Sequence, residues 1–103
     1  MEELVLKRAQ FKKWLESKKP GEVVGERGLP YSCPVANYLR VKGGYIHPAV
    51  SSMNIRWGDE MHREGADSPR WASLFVRAVD GGLPTPTGNI TARRALKVLE
   101  KCK

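Results

Sequence analysis

Residues 68–82 read SPRWASLFVRAVDGG, and this stretch decides the predicted fold. Wound as an α-helix, it collects a broad apolar arc that consists of Trp71, Leu74, Phe75, Ala78 and Val79. Ser68 is a candidate N-cap, and Pro69 suits the first helical position, where its missing N–H needs no partner. An apolar arc this broad is typical of a helix that is enclosed on most sides. The stretch therefore predicts a central, buried helix over residues 69–80.

Three other segments have helical patterns. Residues 3–18 contain a narrow apolar stripe and precede a Pro-Gly pair; the stripe consists of Leu4, Phe11, Trp14 and Leu15. Residues 34–42 begin with a proline and stop at two glycines, which are common at helix ends. Residues 91–102 begin at Thr91, a residue type that caps helices well, and combine an apolar stripe with a basic face. We expect a helix over each of these three ranges.

Short runs between the helices predict strands. In residues 52–57 apolar and polar side chains alternate, as in a strand with one face exposed to water. Residues 44–47 are a candidate hairpin partner for that strand, and residues 22–25 form a separate β-branched run. Residues 58–67 are highly polar and are interpreted as a loop. Residues 1–103 are therefore predicted to form one compact α+β domain, with four helices around a small antiparallel sheet.

Length and composition are those of an ordinary globular protein. The 103 residues suit a single domain, and 41% hydrophobic and 28% charged residues are typical values. No apolar stretch approaches the ~20 residues of a membrane-spanning helix, and the start of the chain is too charged for a secretory signal. Two cysteines are too few for a disulfide framework. We therefore expect a cytoplasmic protein with reduced thiols and no membrane partner.

The net charge of +7 is unevenly distributed along the chain. Residues 1–20 contain six basic and three acidic residues, and residues 88–103 contain five basic residues and one acidic residue. The 67 residues between them contain seven of each sign, so all of the excess charge lies in the two terminal segments. In both segments the basic residues fall on the polar face of a predicted amphipathic helix. If these two helices pack side by side, their polar faces form one positive surface.

Cys33 stands directly before Pro34, at the predicted start of a helix. A helix N-terminus stabilises a thiolate, so a nucleophilic role has to be weighed. The spacing from Cys33 to Arg40 is one residue longer than the phosphate-binding loop of cysteine phosphatases, and Pro34 removes an N–H that an oxyanion would use. The Cys-x-x-Cys spacing of a redox pair is absent. We interpret Cys33 as a small, half-buried residue that begins a helix.

The remaining metal-ligand and acid–base residue types do not form a recognisable site. The soft ligands are few and far apart in sequence; they are Cys33, His47, His62 and Cys102. Structural zinc sites usually take their ligands in close pairs. One loop gathers Asp59, Glu60, His62 and Glu64, but its alternating charges favour a solvated loop over a dry catalytic site. We therefore expect a non-enzymatic protein without a metal or cofactor, and we assign no catalytic residue.

The two basic terminal helices are the strongest functional signal. Lysines and arginines set against phosphates release counterions, which gives affinity without sequence readout. A pI near 9.7 also falls in the range expected of a nucleic-acid-binding domain. We expect the chain to bind a polyanion, DNA or RNA, through phosphate contacts. The expected contact residues are Lys7, Arg8, Lys12 and Lys13 in the first helix and Arg93, Arg94, Lys97 and Lys101 in the last.

Two other interpretations of the basic helices stay open. Lysine-rich faces also keep small proteins soluble without binding anything. The chain is alternatively a protein–protein interaction module, a small inhibitor or accessory subunit of a nucleic-acid-processing enzyme. Such a module is expected to expose an apolar patch, for which Tyr38, Tyr45 and Trp57 are the candidates.

Overall fold

The computed structural model describes residues 4–26, 28–59, 61–82 and 88–102. The helices are α1 (Arg8–Glu16), α2 (Pro34–Lys42), α3 (Arg70–Gly82) and α4 (Ala92–Glu100). The strands are β1 (Val23–Glu26), β2 (Ala49–Val50), β3 (Asn54–Gly58), β4 (Arg63–Asp67) and β5 (Asn89–Thr91). The predicted α+β class, with four helices and antiparallel strands, is confirmed.

The strands form two small antiparallel sheets rather than the single sheet that we expected. One sheet has the order β2-β3-β4, and the other pairs β1 with β5. Val23 of β1 pairs with Thr91, and the register shifts by one residue before Gly25 pairs with Ile90. The strand predicted over residues 22–25 therefore forms, but its partner lies near the other end of the chain. The partner has only three residues, which is too short for an alternating pattern to reveal it.

The predicted strand over residues 44–47 does not form. Gly44 and His47 have φ angles of 69° and 45°, which lie in the left-handed region and break an extended strand. The hairpin partner of β3 is instead β2, where Ala49 pairs with Arg56 and Val50 with Ile55. Strand β2 thus lies between the two ranges that we predicted as strands. The error follows from the two-residue length of β2, which has no period of its own.

Strand β4 lies inside the segment that we interpreted as a polar loop. The turn before it begins at Gly58, whose φ of 119° favours glycine, and the backbone N–H groups of Met61 and His62 both donate to the Asp59 carboxylate, at 2.9 and 2.7 Å. Along β4 only Glu64 and Ala66 are half-buried. Strand β4 forms because its backbone pairs with that of β3. The polar composition of β4 is typical of a strand at the edge of a sheet.

Helix α1 begins at Arg8 rather than near residue 3. Residues 4–7 precede the helix, Lys7 has extended backbone angles, and no side chain caps the first turn. The first turn also lacks an acidic residue that would favour the positive end of the helix dipole. The backbone N–H of Val5 donates to the Tyr45 hydroxyl at 2.9 Å, while Leu6 is buried. The N-terminal apolar residues therefore reach the core from an extended segment.

The ring of Phe11 on α1 lies at the centre of an aromatic core. Its centroid is between 5.3 and 6.0 Å from four other rings, which belong to Trp14, Tyr38, Trp71 and Phe75. Helix α3 contributes to this core but is less enclosed than we expected, because Trp71 is only half-buried and Ala78 is exposed. Helix α2 buries five of its nine residues, since it packs against α1, β1 and β2.

Candidate nucleic-acid interface

Helices α1 and α4 are antiparallel neighbours. At one end of the pair, the Arg8 guanidinium at the start of α1 reaches the last turn of α4. At the other end, the backbone N–H groups of Ala92 and Arg93 donate to carbonyls of Glu22 and Pro20, at 2.9 and 3.0 Å. The helices of the two basic terminal segments therefore lie side by side, which is the condition for one shared positive surface.

Arg8 ties the start of α1 to the end of α4. Its Nε donates to the Cys102 carbonyl and its Nη2 to the Leu99 carbonyl, both at 2.8 Å. The last carbonyls of a helix form the negative end of its dipole, so a guanidinium there is favourable. The Leu99 carbonyl also accepts the Cys102 backbone N–H at 2.9 Å, and Cys102 lies just past the end of α4. Burial raises the pKa of the Cys102 thiol, and the nearby Arg8 partly offsets that rise. Arg8 is thus half-buried and engaged within the protein.

The other seven predicted contact residues are exposed. We call them the terminal-helix cations: Lys7, Lys12, Lys13, Arg93, Arg94, Lys97 and Lys101. Lys12 lies one helical turn after Arg8, in the row of α1 that faces α4. Lys13 lies on the opposite flank of α1, where it lines a groove shared with α2. The basic residues of α1 therefore occupy both flanks of that helix.

The groove between α1 and α4 has mixed charge. Its volume is ≈330 Å³, Leu96 lies in its wall, and its charged lining residues are Glu16, Lys18, Arg93, Lys97 and Glu100. In the part of the chain that the structure describes, the one ion pair joins Lys18 to Glu22 at 3.9 Å. The terminal-helix cations are therefore free of direct ion pairing to any described carboxylate. Two carboxylates nevertheless weaken the positive potential inside this groove.

A second groove lies between α1 and α2. Its volume is ≈280 Å³, and it is lined by Gln10, Lys13, Trp14, Ser17, Tyr38 and Lys42. The rings of Trp14 and Tyr38 meet edge to face at 5.5 Å. The Trp14 indole Nε1 is buried and has no hydrogen-bond acceptor among the described residues. Sequence reasoning missed this groove, because Lys42 belongs to the charge-balanced middle of the chain and the Trp14 N–H has no signature in a sequence.

Cys33 is the N-cap of α2. Its sulfur accepts a hydrogen bond from the backbone N–H of Ala36 at 3.4 Å, and the residue is only 5% exposed. Strand β1 covers it from the other side, because a Cβ on Gly25 would lie 2.5 Å from the Pro34 nitrogen. The sequence interpretation of Cys33 as the residue that begins a helix matches its position. Its side chain is enclosed at the junction of β1 and α2.

The histidines and carboxylates of the β3–β4 turn line two shallow hollows. Asp59, His62 and Glu64 line one of them, and His47, Asp59 and Arg63 line the other. Arg63 Nη1 donates to the carbonyls of His47 and Gly58, at 3.2 and 2.7 Å, and so holds the turn against the preceding loop. Among the described residues, no group of three or more histidine, cysteine or acidic side chains is arranged to hold a metal ion.

The apolar patch expected of an interaction module is not exposed. Tyr38 and Trp57 are buried, and Tyr45 packs edge to face on Trp57 with the ring centroids 5.1 Å apart. The prediction of an exposed patch at these residues is therefore wrong, because all three contribute to the core. Exposed apolar side chains lie elsewhere, among them Tyr31 and Ile46 beside the β3–β4 turn.

Comparison with known protein families, with curated proteins and with solved structures finds no match for this chain. No helix within the described ranges is both long and apolar enough to traverse a bilayer. The geometry of the grooves and of the two basic helices is therefore the basis for a functional proposal.

Proposed function

We propose that this protein binds a polyanion, DNA or RNA, through phosphate contacts from the terminal-helix cations. The observation that supports the proposal is the antiparallel packing of α1 on α4, which brings the two basic ends of the chain together. Those two ends contain all of the excess positive charge of the sequence. A phosphate backbone is the ligand whose charge matches such a surface.

In this proposal Arg8 has a positioning role rather than a contact role. Its two hydrogen bonds to α4 fix the relative position of the two helices. Arg93 and Lys97 of α4 line the groove between the helices, and Lys12 lies one helical turn before Glu16, which lines the groove from α1. Glu16 and Glu100 line the groove itself, so the phosphates follow the rims of the groove rather than its floor.

Fluorescence anisotropy with labelled DNA and RNA at rising salt tests the proposal. If five or six of the seven cations each contact a phosphate, log K falls against log salt with a slope of about −5. Affinity then drops by about a thousandfold between roughly 50 and 200 mM salt. Binding that is micromolar or weaker at low salt, without a salt slope, contradicts the proposal.

A matched pair of variants assigns the binding to α4. Lys97→Ala removes one proposed phosphate contact, and we expect the magnitude of the salt slope to fall by about 1. Arg77→Ala removes the same charge from an exposed position on α3, outside the proposed surface. We expect this control to leave the slope unchanged. Equal effects of the two variants would show that only net charge matters and that α4 has no special part.

A protein-interaction role is the second candidate, and it rests on a different surface. Tyr31 is 59% exposed and Ile46 is 57% exposed, and each lines a hollow at the β3–β4 turn. Purification separates the two candidates. A polyanion binder retains nucleic acid, so its 260/280 absorbance ratio is high and falls after a high-salt wash. A protein-interaction module purifies without nucleic acid at any salt concentration.

A further inference from the structure

We propose that the groove between α1 and α2 accepts an unstacked base, so that the polyanion is single-stranded nucleic acid. This inference rests on the proposed function and specifies its ligand. The groove shares Lys13 with the terminal-helix cations. A strand whose phosphates contact the outer face of α1 therefore passes directly over the groove.

The walls of the groove suit a flat ring. Its floor is the edge-to-face pair of Trp14 and Tyr38, of which only 6% and 7% are exposed. Phe11 stacks on Trp14 and Lys18 Nζ lies 5.3 Å from the Trp14 ring centroid, so a base in the groove contacts the exposed ring edges. Its volume of ≈280 Å³ lies just below the range of about 300–1,000 Å³ that is typical of small-ligand pockets. One base is therefore the right scale of occupant. Aromatic walls bind bases with little dependence on sequence, because every base has a π-face.

The polar groups of the groove match the edge of a base. The Trp14 indole N–H is buried and has no acceptor among the described residues, and Trp14 as a whole is only 6% exposed. A buried polar group without a hydrogen-bond partner costs free energy. A carbonyl oxygen or ring nitrogen of a base is an acceptor of the kind that this N–H lacks, and the enclosed indole has to turn toward the groove for that hydrogen bond to form. Gln10 lies in the same lining and offers both a donor and an acceptor to the rest of the edge.

Two lysines stand where the phosphates of that base would lie. Lys13 of α1 and Lys42 of α2 line the groove, one from each helix. No carboxylate of the described ranges lines it, in contrast to the α1–α4 groove with Glu16 and Glu100. Paired cations beside an aromatic recess are the usual elements of single-strand binding sites. In duplex DNA the bases are stacked and paired inside the helix, so a duplex contacts the cations but leaves the groove empty.

The test compares three probes, an oligothymidine single strand, a duplex of the same length, and heparin, which is a polyanion without bases. The variants are Lys42→Gln, which removes a cation of the groove alone, and Trp14→Phe, which keeps a ring but removes the N–H. We expect each variant to weaken binding of the single strand by roughly tenfold. Binding of duplex and heparin should change by less than about twofold, because neither enters the groove.

Two controls keep the result interpretable. Arg77→Gln makes the same charge change as Lys42→Gln, but on α3, and should affect all three probes equally. Tryptophan fluorescence gives a readout besides affinity: the single strand should quench the emission of the native protein, and Trp14→Phe should abolish that quenching although Trp57 and Trp71 remain. Circular dichroism of each variant identifies any loss of folding.

The possible outcomes separate this inference from the function on which it rests. Selective loss of single-strand binding in Lys42→Gln supports the base-accepting groove, with or without a stable Trp14→Phe protein. Equal binding of single strand and duplex, with Lys42→Gln no different from Arg77→Gln, overturns the groove and leaves the phosphate contacts intact. Failure of all three probes to bind the native protein overturns both proposals.

Discussion

Two pairs of elements, α1 with α4 and β1 with β5, join opposite ends of the chain. Strands β3 and β4, by contrast, pair with each other and are neighbours in sequence. Arg8 bonds to carbonyls of Leu99 and Cys102, and β1 pairs with β5. In the hairpin, Gly58 pairs with Arg63 across a short turn. We call these two regions the end-built region, residues 8–26 and 89–102, and the hairpin, residues 54–67.

The two regions also differ in what holds them together. In the end-built region an arginine binds backbone carbonyls, and the terminal-helix cations have no carboxylate partners among the described residues. In the hairpin, the side chains of Asp59 and Arg63 form hydrogen bonds to backbone groups close to them in the structure. These two charged groups therefore stabilise the turn itself. Like charges on packed helices repel one another. Under the proposed function, a polyanion relieves that repulsion on binding.

The largest expected effect is on the end-built region, from Gly25→Ala. A Cβ there would lie 2.5 Å from the Pro34 nitrogen and 2.8 Å from the Cys33 carbonyl carbon, and backbone atoms cannot move aside cheaply. We expect the free energy of unfolding in urea to fall by about 3 kcal/mol. The control is Gly21→Ala, where no atom lies within 4 Å of the new methyl group. Equal unfolding midpoints for the two variants would contradict the close packing of β1 on α2.

An intermediate effect is expected in the hairpin, from Gly58→Ala. The φ of 119° is strained for any L-residue, and the new methyl group would collide with the His62 carbonyl. We expect a loss of about 2 kcal/mol. Because the hairpin is built from local pairs, amide exchange should accelerate mainly in β3 and β4, with smaller changes in α1 and α4. Uniform acceleration across the molecule would show that the two regions unfold as one unit.

The smallest effect is expected from Arg8→Met, which tests the connection between the chain ends. The substitution keeps much of the side-chain volume but removes two charge-assisted hydrogen bonds to α4. We expect a loss of about 1.5 kcal/mol in the free energy of unfolding. Lys12→Met, one turn along the same helix and exposed, should cost less than about 0.5 kcal/mol. If the two variants are equally stable, Arg8 does not act as a helix cap.

The sequence predicted the helices far better than the strand pairs. Helix α2 has the predicted bounds, because a proline and two glycines mark its ends. Thr91 caps α4 as expected, accepting from the backbone N–H of Arg94 at 3.3 Å. Helix α1 begins later than predicted, since a periodic apolar pattern does not distinguish a helical Leu4 from one that packs out of an extended segment.

The strands were harder to predict because they form by hydrogen bonding to a partner strand, and their own sequences lack a clear alternating pattern. Strand β4 has a polar sequence and exists as an edge beside β3, and β5 pairs with β1 across most of the chain. Charge distribution, by contrast, is a property of the sequence itself, so the basic ends were visible at once. What the sequence does not contain is the role of Arg8 or the groove at Lys42, since both depend on which helices become neighbours.

The connection between Arg8 and the end of α4 has a consequence for the order of events on the ribosome. Helix α1 and strand β1 are synthesised before the carbonyls that Arg8 binds and before the strand that pairs with β1. A nascent chain therefore holds an unpaired strand edge until residues 89–102 have left the exit tunnel. The hairpin is free to form before those residues are made, whereas closure of the end-built region has to wait for them.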